Sequence, residues 1–293
     1  MHIILGGTGN VGSAVARALL KRHEPTIVIT RDPSKAAALR QKGVDAAIAD
    51  VHDVEALRSI FRQGQRLFFL NPPAAPSSNT AAEERRSLAA ILSAIDGAGL
   101  EKIVAESTYG ARPGEQVGDL SVLYEMEQAL SAQSVPTTII RAAYYMSNWD
   151  ASLPVAREQG VVQTLYPEDF QLPMVAPADI GELAARLLTE PIEQTGLHYI
   201  EGPDRYSAQD VALSLAAVFG RPVDARPIPR DRWLTALKEM NFSDEAARSF
   251  ANMTAVTLND PFPALNSVER GTTSLHDYFL DCNARSGISD SNP

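Results

Sequence analysis

The sequence predicts an α/β protein: a doubly wound parallel sheet with helices on both faces, followed by a smaller, mostly helical C-terminal unit. Three observations predict it. The first twenty residues run from an apolar strand through a glycine turn into an amphipathic helix. Short apolar runs then alternate with helical stripes to about residue 140. After Gly202-Pro203 the alternation gives way to capping signals and successive helical stretches.

Taken in order, Ile3, Ile4 and Leu5 form the first strand, and Val11, Ala14, Val15, Ala18 and Leu19 form the buried stripe of the first helix. Residues 26–29 read as a strand, 33–42 as an alanine-rich charged helix, 45–49 as a short strand and 54–61 as a helix. Residues 67–70 are four large apolar residues, the mark of a strand buried on both faces. Residues 81–95 carry Leu88, Ile91, Leu92 and Ile95 on one helical face. A strand at 102–105, a helix at 121–132 and a strand at 137–140 complete the run. Such βαβα alternation, with right-handed crossovers, gives a Rossmann-like doubly wound sheet whose ligands sit at the carboxyl ends of the strands.

Residues 147–172 read as irregular. Asp179 with Glu182 three residues on reads as a helix start, and Ile180, Leu183, Ala184, Leu187 and Leu188 form the stripe behind it. Residues 197–200 read as a further strand of the sheet. Ser207 with Asp210 is a second capping signal, for a helix ending near Gly220-Arg221-Pro222. Helical stretches follow around 231–240 and 244–256. The expected division is a sheet domain of residues 1–146 and 176–202, a smaller subdomain of 147–175 and 203–280, and a flexible polar tail of 281–293.

With 293 residues the chain is long enough for one large or two small domains. Its net charge of −10 and lack of a basic run argue against nucleic acid as a partner. The one cysteine, Cys282, forbids an internal disulfide and suits a reducing compartment. No membrane span and no signal peptide are read, so the expected location is cytoplasmic. The five histidines are scattered without metal-ligand spacing, so no metal site is expected.

The chemistry concentrates at the glycine turn, Gly6-Gly7-Thr8-Gly9-Asn10-Val11-Gly12. Gly6 permits the tight turn, Gly9 lets the backbone approach a pyrophosphate, and Gly12 lets the helix pack closely on the sheet. The free N–H groups and dipole of the first helical turn favour the anion. The spacing is GxxGxxG, and strand–turn–helix context raises its weight; the alternative is a turn that only packs a helix on a strand.

Arg31 follows the second strand, where an acidic residue would accept from the ribose 2′-OH of NAD and an arginine would hold the 2′-phosphate of NADP. With Lys35 beside it, Arg31 predicts NADP(H) over NAD(H); Asp32, if it turned inward, would reverse that preference. Asp50 ends the third strand, as an acceptor for the adenine amino group or as a turn residue. Asn71 and Pro72 end the fourth strand beside the ribose and begin a proline-rich loop to Ser78. Ser107 or Tyr109 would line the nicotinamide pocket, with the loop 110–119 able to close over it.

Tyr109 and Tyr124 are the candidate proton donors. In proton-donating reductases a lysine four residues after the tyrosine lowers the phenol pKa. Gln128 holds that place after Tyr124, and no Tyr-x-x-x-Lys occurs in the chain, which favours a structural or substrate-shaping Tyr124. Tyr144, Tyr145, Met146, Asn148 and Trp149 cluster at the end of the sixth strand, either as a pocket for a flat apolar ligand or as packing between subdomains. Arg141 reads as a buried ion-pair partner.

On these residues the chain resembles the NmrA-like family, atypical members of the short-chain dehydrogenase/reductase group. The resemblance runs from the first strand to about Phe279. It rests on GGTGNVG, Arg31, Thr138-Ile139-Ile140-Arg141 with Met146 and Asn148, Ala178-Asp179-Ile180-Gly181, Gly202-Pro203 with Ser207, and Gly220-Arg221-Pro222. It implies a Rossmann domain, a small C-terminal substrate domain and NADP(H) in the cleft. The family divides into reductases of quinones, dyes or phenolic ethers and non-catalytic redox-sensing regulators. Many of its enzymes carry Lys or His near the start of the helix that holds Glu127; here Leu123 and Tyr124 stand there. The expected function is reduction of a small flat apolar acceptor such as a quinone. The alternative is an NADP(H)-binding sensor acting on a protein partner.

Overall fold

The computed structural model describes residues 1–260, 265 and 267–289. Its chain order is β1 (His2–Ile4), α1 (Asn10–Lys21), β2 (Thr26–Thr30), α2 (Pro33–Gln41), β3 (Asp45–Ile48), α3 (Val54–Phe61), β4 (Arg66–Phe69), α4 (Thr80–Ile95), β5 (Lys102–Thr108), α5 (Asp119–Ser131) and β6 (Thr137–Ala142). There follow β7 (Tyr144–Tyr145), a 3-10 turn (Met146–Ser152), α6 (Leu153–Gln159), β8 (Val161–Thr164), β9 (Leu172–Val175), α7 (Pro177–Thr189) and β10 (Gly196–Glu201). The remainder is β11 (Arg205–Tyr206), α8 (Ala208–Phe219), β12 (Asp224–Pro227), a 3-10 turn (Arg230–Arg232), α9 (Trp233–Glu239), α10 (Asp244–Asn259), β13 (Glu269–Arg270) and α11 (Leu275–Ser289).

The main sheet has the order β13-β10-β6-β5-β4-β1-β2-β3, with parallel pairing throughout. The chain winds outward through β2 and β3, then returns to the other side of β1 as β4. That reversal is the topological switch point at which ligands bind beyond the carboxyl ends. The period of two in each strand divides its side chains between two cores. Ile3, Leu67, Phe69 and Ile103 pack with Leu57, Phe61, Ile91 and Met126 of α3, α4 and α5. Ile4, Phe68 and Val104 pack with Val15 and Leu19 of α1 and Leu187 of α7. A Cβ on Gly181 would lie 2.6 Å from the Ala14 backbone, so a bare glycine is what lets α1 and α7 touch.

Three expectations need correction. Residues 147–172 are not irregular: they form a 3-10 turn, α6 and β8, and β8 pairs in parallel with β12. Their four-to-seven-residue lengths are too short to show a period. Glu269–Arg270 return to the main sheet as its outermost strand beside β10, so residues 203–280 are not confined to the smaller unit. Two polar residues carry no strand signal; the ladder and the contact of Arg270 with Glu201 hold them. Residues 281–285 are helical in α11 rather than a frayed tail, because Tyr278, Phe279 and buried Cys282 dock on α8 and the 146–152 turn. Residues 290–293 of the expected tail lie outside the described residues.

The capping signals split. Ser207 and Asp210 form the reciprocal capping box of α8, which ends at Gly220 in the left-handed conformation. Asp179 does not cap α7, whose first residue is Pro177; its carboxylate accepts from the N–H and hydroxyl of Thr273, both at 3.1 Å. No helix among the described residues is long and apolar enough to cross a membrane.

Candidate active site

The glycine turn stands between β1 and α1, at the switch point. Gly6 sits at φ +67°, a conformation only glycine adopts freely, and its carbonyl accepts the Gly9 N–H at 3.0 Å. A Cβ on Gly12 would lie 2.3 Å from that same carbonyl, and one on Gly7 would lie 2.4 Å from Val28. Both glycines are therefore dictated by the protein's own packing. Gly9 is different. Its backbone is extended, at φ −84°, and an added Cβ would meet only the Gly6 carbonyl, at 3.4 Å. Nothing inside the fold requires a glycine there, but the close approach of a ligand would. Gly9 is also the N-cap of α1, and no side chain caps that helix, so the first-turn N–H groups of Asn10, Val11 and Gly12 are presented without a side-chain acceptor.

At the adenosine end, Thr8 and Thr30 hydroxyls lie 3.4 Å apart and bring the turn to the end of β2. Asp32 is turned into α2, where Oδ1 accepts from Ser34 N at 2.8 Å and Lys35 N at 3.3 Å. An aspartate spent on a cap does not compete for a ribose. Arg31 and Lys35 are exposed, and among the described residues neither side chain is in an ion pair. The tip of the second strand thus presents cations, as a 2′-phosphate requires. Asp50 is exposed, and its Oδ1 accepts the His52 N–H at 2.9 Å, the turn role that its position allowed.

At the other end, Asn71 Nδ2 donates to the Glu84 main-chain carbonyl at 3.1 Å, while its Oδ1 is buried without a partner among the described residues. Pro72 is partly exposed beside it. Ser107, 1% exposed, donates to Glu127 Oε1 at 2.5 Å. Arg141 grips the same carboxylate with two prongs, Nε to Oε1 at 2.9 Å and Nη2 to Oε2 at 2.6 Å, and reaches the Tyr199 hydroxyl at 3.2 Å. The expected ion-pair role of Arg141 is what the structure has. The Ser107 hydroxyl, in contrast, points into this network.

Tyr109 is buried, and its hydroxyl donates to Glu201 Oε1 at 3.2 Å. Burial first, and then the Glu201 charge, push this phenol well above the ordinary tyrosine range. It is held as a neutral hydroxyl against a carboxylate on β10. Tyr124, on α5, is partly exposed. The aromatic cluster divides. Met146 and Trp149 are core residues at 0% and 4% exposure, packed with Leu172, Met174 and Phe279, so they do not line an open pocket. Tyr144 stands edge-on to Tyr166, and burial raises its pKa. Tyr144 and Tyr145 are half-buried, and Asn148 is exposed.

Sequence reasoning missed three acids near the carboxyl ends of β4 and β5: the buried Glu84 and Glu106, and the exposed Asp119 that begins α5. Glu84 and Glu106 are each 6% exposed. The signal was present for two of them. Glu84 falls on the stripe of Leu88, Ile91 and Ile95, and Glu106 follows the apolar run 103–105 of a buried strand. A carboxyl on a core position is the informative observation.

The sheet order, the switch point and the uncapped glycine turn define a nucleotide-binding protein of the Rossmann type. Within that class the chain belongs to the NmrA-like family, which it matches over residues 2–275. It is 25% identical over 267 residues to the NAD(P)H azoreductase of Xenophilus azovorans, covering 89% of this chain and 88% of that protein. It is 25% identical over 254 residues to quinone oxidoreductase 2 of Escherichia coli (strain K12), covering 86% of each. Among solved structures it superposes on Citrobacter sp. triphenylmethane reductase complexed with NADP(H) at a TM-score of 0.80 and 21% identity, over 96% of this chain and 99% of that one. The match to the NADPH complex of Escherichia coli quinone oxidoreductase has a TM-score of 0.77 and 23% identity, over 99% and 100%. These structural likenesses concern the fold.

Proposed function

We propose that this chain is an NADP(H)-dependent oxidoreductase that reduces a small, flat, apolar acceptor of the quinone class. The observation that carries the reading is Gly9: a glycine that the protein's packing does not need, at an uncapped helix start. The relatives support it, since two are named for NAD(P)H azo and quinone chemistry. When bound, the reduced nicotinamide supplies a hydride from its C4. Gly6 through Gly12 hold the pyrophosphate, Arg31 and Lys35 the 2′-phosphate, and Asn71, Pro72 and Ser107 stand along the nicotinamide half, with Asp50 at the adenine. Tyr144, Tyr145 and Asn148 shape the acceptor side, backed by Met146 and Trp149. A quinone accepts hydride without a strong acid, which suits a site whose Tyr124 lacks an assisting lysine and whose Tyr109 is held by Glu201. The work of the protein is then positioning. The smaller unit, residues 147–175 and 203–280 apart from β13, forms the acceptor wall, and the compartment is the reducing cytoplasm.

A second reading has one observation in its favour: neither candidate tyrosine is equipped as an acid. On it, the chain senses NADP(H) and acts on a protein partner, which demands different affinities for the two redox states. One titration separates the readings. Nicotinamide fluorescence is followed as NADPH and then NADH are added, and a quinone is added last. Tight NADPH binding with quinone-dependent loss of signal supports the reductase. Tight binding with no turnover across quinones, azo dyes and enones favours the sensor.

Arg31→Ala should weaken NADPH binding by about 10- to 150-fold, the worth of a charge-assisted hydrogen bond of about 1.5–3 kcal/mol, and leave NADH binding nearly unchanged. Equal losses for both cofactors, measured in the same titration, would remove Arg31 from the 2′-phosphate.

A further inference from the structure

Two loops border the cleft above β4 and β5: residues 70–79 before α4, and residues 109–118 before α5. One helix of the smaller unit, α10, touches both. Ser243, its N-cap, donates from its N–H to the Pro76 carbonyl at 2.9 Å and from its hydroxyl to the Ser78 carbonyl at 2.7 Å. The same hydroxyl accepts the Ala246 N–H at 3.0 Å, so it caps the helix and clips the first loop at once. Further along α10, Asn252 Nδ2 donates to the Gln116 carbonyl at 3.1 Å, and Gly118 lies against Ser249 and Met253. At the far end, Asp260 pairs with Arg112 at 2.6 Å. The 16 residues of α10, a span of about 24 Å, thus run along both loops.

The ties are of a kind that opens easily. Asn252 is exposed, and the Arg112 and Asp260 side chains are 40% and 55% exposed, so their pair is a weak one. The apolar face of α10 packs elsewhere: Ala247 and Ala251 join Trp233 and Leu237 of α9 in a cluster of their own. The 109–118 loop has the features of a piece that moves. Gly110 at φ +74° and Gly118 at φ +53° bracket it, and neither site is crowded, since an added Cβ would meet nothing nearer than 3.8 Å. Backbone freedom, not packing, is what glycine supplies at both. Among the described residues, no main-chain N–H from 114 to 118 donates to a main-chain carbonyl. Between the two glycines Gln116 sits at φ +52°, a left-handed conformation that a residue with a Cβ holds only where its surroundings fix it. Asn252 grips the carbonyl of that same residue.

We propose that α10 is a latch: it holds the 70–79 and 109–118 loops closed together, and the segment from 110 to 118 is a lid that swings on Gly110 and Gly118 when α10 lets go. Release frees Gln116 to leave its left-handed conformation, so relief of strain favours opening and the ties to α10 oppose it. Because one helix holds both loops, a tie lost at either loop loosens both. Ser243 and Asn252 are positioning residues: they act through the loops. On the function proposed above, the nicotinamide half stands along Asn71, Pro72 and Ser107, beside these loops, so the latch also sets how fast the cofactor leaves. That last step alone rests on the proposed function.

The test is hydrogen–deuterium exchange of the full chain without cofactor, corrected for the intrinsic rate of each residue. It is read at two amides that closure protects: that of residue 243, bonded to the Pro76 carbonyl at 2.9 Å, and that of Arg112, bonded to the Leu120 carbonyl at 3.0 Å. Asn252→Ala removes a tie to the 109–118 loop alone. Ser243→Gly keeps a serviceable N-cap and removes the hydroxyl that donates to Ser78, a tie to the 70–79 loop alone. Each variant should raise exchange at both amides alike, by about 2- to 12-fold, the worth of one net hydrogen bond. A change confined to the loop that the altered residue touches is what a merely local contact gives, and it overturns the latch; so does unchanged exchange at both amides. Stopped-flow fluorescence then reads NADPH release, which should quicken by a similar factor in both variants. Release at the wild-type rate, with exchange raised at both loops, overturns the gating of the cleft. A chain that binds no NADPH would sink the reductase reading, and the exchange measurement would still decide the latch.

Discussion

Gly9→Ala should abolish tight NADPH binding while leaving the fold intact, and Gly12→Ala should damage both. The contrast follows from what each added Cβ meets. At position 12 it would lie 2.3 Å from the Gly6 carbonyl and 2.9 Å from the Gly7 Cα, both backbone atoms that cannot swing aside. The start of α1 would have to move off the turn, at a cost of about 1–3 kcal/mol or more for overpacking, and the phosphate cradle would move with it. At position 9 the backbone is one any residue adopts, and the nearest atom is at 3.4 Å. The melting temperature should stay within about 2 °C, since a substitution free of clash and strain changes stability by about 0.5 kcal/mol at most. The new methyl group would instead stand where the pyrophosphate approaches, and affinity should fall by at least about tenfold. Thermal melts and NADPH titrations of the two variants read both quantities. A Gly9→Ala variant that binds NADPH like the wild type would mean that the dinucleotide does not lie across this turn, and the proposed function would lose its main support.

These glycines also show how far the sequence can be read. The strand–turn–helix pattern is legible because chain geometry forces it: a left-handed Gly6 and a crowded Gly12 leave no alternative residue. The central strands β1, β2, β4 and β5 are legible because burial on both faces makes them largely apolar runs, as at Leu67, Phe68 and Phe69. The orientation of Asp32 is not legible, since a neighbour of Arg31 can face a ribose or cap α2, and only the completed helix decides. The outermost strand, Glu269–Arg270, is held by pairing with β10 and by Glu201, contacts about seventy residues apart in sequence that no local window contains. The aromatic cluster fails as a unit for a similar reason. Tyr144 through Trp149 cross from β7 into a 3-10 turn, so neighbours in sequence diverge, and Met146 and Trp149 turn into the core while Asn148 turns outward. Buried acids escape a search for motifs because they have no spacing; only their position on an apolar stripe betrays them.

Ser107 tests whether a polar residue at the end of β5 serves the ligand or the fold, and Glu127 gives the larger effect. Glu127→Ala would leave the Arg141 guanidinium, with 17% of its side chain exposed, without its two-pronged partner, and would strip the Ser107 hydroxyl of its acceptor. Breaking a buried pair from one side costs about 3–5 kcal/mol, because the surviving charge stays desolvated. In a chain of this size the melting temperature should fall by about 5–8 °C. Glu127→Leu combined with Arg141→Met should recover much of that loss, since removal of both charges leaves no orphan. Ser107→Ala should cost much less, about 0.5–1.5 kcal/mol, one net hydrogen bond. The cofactor readout separates its two roles. If Ser107 also holds the nicotinamide half, Ser107→Ala should weaken NADPH binding beyond what its melting point explains, whereas the double Glu127/Arg141 variant, with Ser107 intact, should bind NADPH nearly as the wild type does. If Ser107→Ala keeps wild-type affinity, its hydroxyl serves Glu127 alone, and the cofactor contacts at this end reduce to Asn71 and Pro72. The buried Asn71 Oδ1, unpartnered among the described residues, is then the acceptor left for the ligand.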